Sequence, residues 1–202
     1  GDFYDFFLVD DKHLAMVIAD VSGKGVPAAL FMVISKTLLK NALMLGMTPK
    51  QALESVNNQL CENNESYMFV TVWAGIMDID TGKVVAANAG HEYPAIRRAN
   101  GEFELIKDKH GIPLGCMEDF VHTQYEFEIE SGGTLYVYTD GVAEATDSAN
   151  QLYGTDRMLT ALNQKPDAAP QQLLANVAQG IDVFVGEAPQ FDDITMLALK
   201  RR

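Results

Sequence analysis

The chain has 202 residues, enough for one ordinary domain with a core of its own, and its 48% apolar and 21% charged content is that of a globular protein. A formal net charge of −13 argues against a nucleic-acid binder, because phosphate backbones reward clustered Lys and Arg, and the one such run is the terminal Lys200-Arg201-Arg202. Cys61 and Cys116 lie far apart with no CxxC spacing, which speaks against a zinc site or disulfide framework and for a reducing compartment. Apolar runs such as residues 28–34 fall well short of the roughly 20 residues that span a bilayer, and no signal peptide is visible. A cytoplasmic protein without membrane contact is expected. The chain starts at Gly1 inside an apolar run, so residues 1–202 are expected to form a single domain cut from a longer regulatory protein.

Residues 3–9 and 14–19 are β-rich runs separated by Asp10-Asp11-Lys12, which reads as a hairpin. Val21-Ser22-Gly23-Lys24-Gly25 breaks the strand, and Pro27 opens a helix that runs to about residue 45. Thr48 then caps a second helix with Pro49 in its first turn, continuing to about Asn63. Strands are expected at 67–79 and 83–88 across the turn Asp80-Thr81-Gly82, and at 95–98 and 103–106 across Asn100-Gly101. Residues 122–129 alternate like a half-buried strand and 134–138 form a continuous buried one. Helices at 156–163 and 170–185 precede a last strand at 194–199. Hairpins dominate and helices come in pairs, which predicts the α+β class: a four-layer α-β-β-α sandwich of two stacked, mainly antiparallel sheets flanked by helix pairs.

The aspartates fall at strand ends. Asp20 ends the strand 14–19, Asp140 ends 135–139, Asp192 and Asp193 precede 194–199, and Asp2 and Asp5 frame the first strand. A carboxylate at the edge of a buried strand is costly unless it is paired, hydrogen-bonded or metal-bound. Any one of them reads equally well as a turn cap, as Asp140-Gly141 does. Taken as a set, with little Lys or Arg nearby, they favour a shared hard cation, since all-oxygen ligands select Mg²⁺, Mn²⁺ or Ca²⁺ over zinc or copper. The loop Asp20-Val21-Ser22-Gly23-Lys24-Gly25 lacks the spacing of a P-loop or a dinucleotide fingerprint. Its glycines would let backbone approach a metal and offer a carbonyl.

Seven motifs occur in order: Gly1-Asp2-Phe3-Tyr4-Asp5, residues 19–29 (Ala-Asp-Val-Ser-Gly-Lys-Gly-Val-Pro-Ala-Ala), Met68-Phe69-Val70-Thr71, Asn88-Ala89-Gly90-His91, residues 111–115 (Gly-Ile-Pro-Leu-Gly), residues 138–145 (Tyr-Thr-Asp-Gly-Val-Ala-Glu-Ala), and Asp192-Asp193-Ile194-Thr195. Together they resemble the PPM-type metal-dependent serine/threonine phosphatases, in the bacterial branch of stage II sporulation protein E and RsbU-type sigma-factor regulators. The resemblance implies two Mn²⁺ or Mg²⁺ ions, with room for a third. It implies Asp20 as the bridging ligand, the Val21 carbonyl as another, Asp140 and Asp192 as further acidic ligands, and Asp193 in a supporting or extra-metal role. Asp20, Asp140 and Asp192 thereby become the catalytic set. Either Asp5 or Asp2 fills the N-terminal ligand position, and spacing to Asp20 favours Asp5.

The implied chemistry is hydrolysis by water ionised between two cations, with no protein nucleophile, so Ser22 and Cys61 are not read as covalent catalysts. The eukaryotic-type loop histidine is replaced by Ser22, and the N-terminal phosphate-gripping arginine is not visible; the sporulation branch generally lacks both. His91 is read as ordering its loop, His13, His110 and His122 as surface or turn residues, and Thr71 and Thr139 as packing residues. The implied substrate is a phosphorylated anti-sigma antagonist-type protein, and the implied partner an upstream sensory domain. A catalytically weak or silent phosphoprotein-binding module is the alternative, and a small-molecule phosphoesterase, expected to carry metal-binding histidines, is a third.

Overall fold

A computed structural model describes residues 1–62 and 64–202. The first half comprises β1 (Phe3–Leu8), β2 (His13–Val21), α1 (Val26–Met44), α2 (Pro49–Cys61), β3 (Val70–Asp78) and β4 (Lys83–Ala89). The second comprises β5 (Ala95–Arg97), β6 (Phe103–Leu105), β7 (Gln124–Glu128), β8 (Thr134–Tyr138), α3 (Asp140–Ala143), α4 (Gly154–Asn163), α5 (Pro170–Val185) and β9 (Met196–Lys200). The expected extension of the second helix to Asn63 lies outside the described residues. Backbone contacts divide the chain into two compact units, residues 1–91 with 108–128 and residues 92–107 with 129–202.

The first unit is a five-stranded sheet in the order β1-β2-β3-β4-β7, antiparallel throughout. Strand alternation sends Val17, Ala19, Val72, Ala74, Ala87 and Ala89 to one face. There they form a core with Leu39 and Leu43 of α1 and Leu53 and Val56 of α2. The start of α2 is held by a reciprocal cap. Thr48 Oγ1 accepts from the Gln51 N–H at 3.3 Å while Gln51 Oε1 accepts from the Thr48 N–H at 3.0 Å, an arrangement that contributes about 1 kcal/mol. By length and composition α1 would suffice to cross a bilayer, which the short apolar runs had not predicted. Its Ala28, Leu39, Ala42 and Leu43 are buried in the core, seating the helix on the sheet, while Leu30, Val33 and Ile34 remain exposed.

The second unit is a four-stranded antiparallel sheet in the order β6-β5-β8-β9. Tyr136 and Tyr138 stack with ring centroids 5.5 Å apart and meet Met158 and Leu162 of α4 and Leu173 and Val177 of α5. The pairing of strands and the pairing of helices both follow the α+β reading. The helix α3 was not foreseen, because Asp140-Gly141 has the composition of a turn and four residues carry no periodicity.

Candidate metal centre

In the first unit, strand register decides which acids meet. Phe3 pairs with Ala19, and continuing that register sets Asp2 across from Asp20 and Gly1 across from Val21. A Cβ built on Gly1 would stand 2.7 Å from the Val21 carbonyl oxygen, in keeping with that close approach. Phe3, Val17, Ala19 and Val21 face the helices, so alternation turns Asp2 and Asp20 to the opposite face. Asp5, favoured on spacing, pairs with Val17 and shares the helix side with Phe3 and Phe7, where Lys40 of α1 stands 3.4 Å from its carboxylate. The register thus brings Asp2 to Asp20 and leaves Asp5 in an ion pair elsewhere.

The backbone beneath Asp20 is fixed by polar groups that the sequence reading had assigned to packing. Thr71, opposite Asp20 on β3, donates its hydroxyl to the Asp20 carbonyl at 3.4 Å and lies 2.9 Å from Nδ1 of His91. Which of the two donates in the Thr71–His91 contact follows the imidazole tautomer. His91 is buried, and its loop is closed reciprocally: its N–H donates to Asn88 Oδ1 at 2.8 Å, and Asn88 Nδ2 donates to the His91 carbonyl at 3.0 Å. This is the loop-ordering role expected of His91. Ser22 also has structural work, accepting the Phe69 N–H at 2.9 Å. Gly23 and Gly25 adopt φ of 82° and 77°, and the turn from β2 into α1 needs that left-handed backbone.

In the second unit, Thr139 and Thr195 tie the ends of β8 and β9 together. The Thr139 N–H donates to the Thr195 carbonyl at 3.0 Å, and the Thr195 N–H donates to Thr139 Oγ1 at 3.0 Å. The clasp places Asp140, first residue of α3, at the same sheet end as Asp192 and Asp193. Gly141 completes the approach, since a Cβ there would overlap the Asp193 carbonyl. Asp140 and Asp192 are half-buried and Asp193 is exposed, with its N–H donated to Asp192 Oδ1 at 2.9 Å. Each unit therefore presents its own small acidic set with oxygen donors only. Among the described residues no three Asp, Glu, His or Cys side chains gather into a metal-binding group.

The other histidines divide. His13 contacts Asp10 at 2.8 Å and His110 contacts Asp108 at 3.0 Å, as turn residues would. His122, expected at the surface, is buried beside the Phe120 ring and against Gly111, and burial holds its imidazole below the ordinary histidine pKa. The hydrogen bonds of Thr71, Thr139 and Thr195 at the strand ends are what sequence reasoning missed. The available signal was a hydroxyl inside or beside a buried strand, which must find a partner.

The fold is that of PP2C-type protein phosphatase domains. The crystal structure of the RsbU and RsbW domains of Rv1364c from Mycobacterium tuberculosis matches all of this chain and 55% of that one, with a TM-score of 0.83 at 24% identity. RsbX in complex with magnesium shares the fold over 98% of this chain and 85% of its own, with a TM-score of 0.69 at 15% identity. The profile of the stage II sporulation protein E (SpoIIE) family matches residues 10–202, and the chain belongs to that family. Among curated relatives, Protein IcfG of Synechocystis sp. (strain ATCC 27184 / PCC 6803 / Kazusa) is 31% identical over 228 residues, covering all of this chain and 36% of that protein. Phosphoserine phosphatase RsbU of Bacillus subtilis (strain 168) is 27% identical over 204 residues, covering all of this chain and 59% of RsbU. The chain thus spans between about a third and three-fifths of the length of these two curated relatives.

Proposed function

We propose that the chain is the metal-dependent phosphatase domain of a longer, cytoplasmic bacterial signalling protein, and that it hydrolyses phosphoserine or phosphothreonine on a partner protein. An anti-sigma antagonist-type protein is the substrate this reading favours, with an upstream sensory segment as regulator. RsbU, a relative over the whole chain, is named a phosphoserine phosphatase, which supports the substrate class.

The observation that carries the reading is the placement of oxygen donors at strand ends: Asp2 across from Asp20 in one unit, Asp140 and Asp192 at one end of the sheet in the other. All-oxygen donors fit Mn²⁺ or Mg²⁺. Asp2, Asp20, the Val21 carbonyl, Asp140 and Asp192 are the proposed ligands of two ions, with Asp193 in support or at a third. Two such ions, when bound, supply ionised water at neutral pH and neutralise charge on the phosphoryl oxygens. The chain's own part is to orient these carboxylates. Thr71 and His91 fix the Asp20 backbone, and the Thr139–Thr195 clasp fixes Asp140. No side-chain nucleophile enters, and Ser22 is spent on the Phe69 N–H.

The purified protein is expected to hydrolyse p-nitrophenyl phosphate and a phosphoserine peptide with Mn²⁺ or Mg²⁺ present, and to stop when EDTA removes the ion. Hydrolysis that survives EDTA overturns the metal dependence. Phosphopeptide binding without turnover would return the silent binding-module reading.

A further inference from the structure

Within the second unit, the turn after α5 and the segment leading to Asp192 wall a groove of about 280 Å³. Ala145 and Ile181 form buried parts of its lining, Val185 and Ile194 add apolar surface, and Phe191 stands at its edge 71% exposed. A second pocket shares Glu144, Pro189 and Phe191 with it and adds Leu152 and Asp147, so the two form one continuous trough. Large apolar side chains left in water beside a concave apolar surface mark a place where another molecule sits. The trough is also charged in one sense. Glu144, Asp147, Asp182 and Asp192 line it, and among the described residues no Lys or Arg does.

Two features say what occupies it. The trough contains Asp192 and Gly141, the neighbour of Asp140, so its occupant lies beside the residues proposed to hold the ions. Glu144, Asp147 and Asp182, the three of these carboxylates outside the proposed ligand set, in a chain of net charge −13, would repel an acidic segment and attract a basic one. We propose that the trough is a substrate subsite that takes an apolar side chain of the phosphoprotein, with Lys or Arg next to it, on the same segment as the phosphorylated residue. The assignment rests on the phosphoprotein phosphatase reading and extends it from a reaction to a sequence preference. The apolar walls supply the contact, and the acids choose among segments by sign of charge.

The test compares two short phosphoserine peptides, one carrying leucine and lysines and one with glutamates in place of the lysines, alongside p-nitrophenyl phosphate, which carries neither a leucine side chain nor a positive charge to set against the trough. With Mn²⁺ present the lysine peptide is expected to show the lower KM. Asp182→Lys and Phe191→Ala should each raise that KM roughly tenfold while kcat/KM for p-nitrophenyl phosphate stays unchanged. Asp182 is exposed on α5, so its replacement leaves the core intact. Equal KM values for the two peptides, or an Asp182→Lys protein with wild-type KM, would overturn the subsite. Fluorescence anisotropy of the labelled lysine peptide on wild type and Asp182→Lys decides the same point without turnover. Weaker binding to the variant together with inactivity on both substrate types would sustain the trough and sink the phosphatase reading.

Discussion

Asp20→Asn is expected to remove Mn²⁺-dependent hydrolysis of both p-nitrophenyl phosphate and a phosphoserine peptide. Asparagine keeps the shape of the side chain and one oxygen, but it withdraws the negative charge that would hold a divalent ion. Losing that ion's stabilisation of the transferring phosphoryl group costs several kcal/mol, a fall of roughly a thousandfold or more. The substitution should leave the fold in place, because the Asp20 backbone stays paired to Thr71 and the carboxylate faces away from the helix-covered core. Circular dichroism and the thermal midpoint check that. Asp140→Asn should behave alike, since Asp140 stands at the corresponding strand end of the second unit. Retained activity with intact Mn²⁺ dependence in either variant would remove that residue from the ligand set.

Gly141→Ala carries the second large effect, through geometry rather than charge. A single methyl at this position would overlap the carbonyl of Asp193, so α3 or the segment 192–194 must move. Overpacking of backbone against backbone cannot be relieved by a side-chain rotation, and it costs about 1–3 kcal/mol even where the neighbours yield. Either movement shifts a member of the proposed ligand set, Asp140 with α3 or Asp192 with the segment. The expected result is a lowered denaturation midpoint with at least a hundredfold loss of activity, following the sensitivity of such sites to shifts of about 1 Å. Gly101→Ala is the control, because a Cβ there meets nothing closer than 3.5 Å. If Gly141→Ala and Gly101→Ala proved equally active, the close packing of α3 on Asp193 would not matter to the site.

Much of the architecture was legible because it is written locally. The hairpin over Asp10-Asp11-Lys12, the Thr48 cap with Pro49, and the apolar run 134–138 each announce one element, and each forms where expected. The strand-end position of Asp20, Asp140 and Asp192 was equally visible, since it needs only the boundary of an apolar run. What was not visible depends on pairing. Spacing favours Asp5 over Asp2, but register and alternation turn Asp5 toward Lys40 and set Asp2 against Asp20. The division into two units was hidden for the same reason. The chain leaves the first sheet after His91, forms β5 and β6 in the second, and returns at residue 108 to supply β7. His122 read as a surface residue at the head of a strand that in fact begins at Gln124, and its burial arises from Phe120 and Gly111, distant or irregular in sequence. The acidic trough in the second unit had no sequence signal either, because Glu144, Asp182 and Asp192 are gathered from three separate stretches.

Diffraction from crystals soaked in Mn²⁺, collected at the manganese absorption edge, tests the central claim most directly. The expected result is two anomalous peaks, bound by the carboxylates of Asp20, Asp140 and Asp192 and by the Val21 carbonyl, with Asp2 rather than Asp5 as the N-terminal acid. The absence of any manganese at these residues, or an ion held by Asp5 with Asp20 unengaged, would contradict the account.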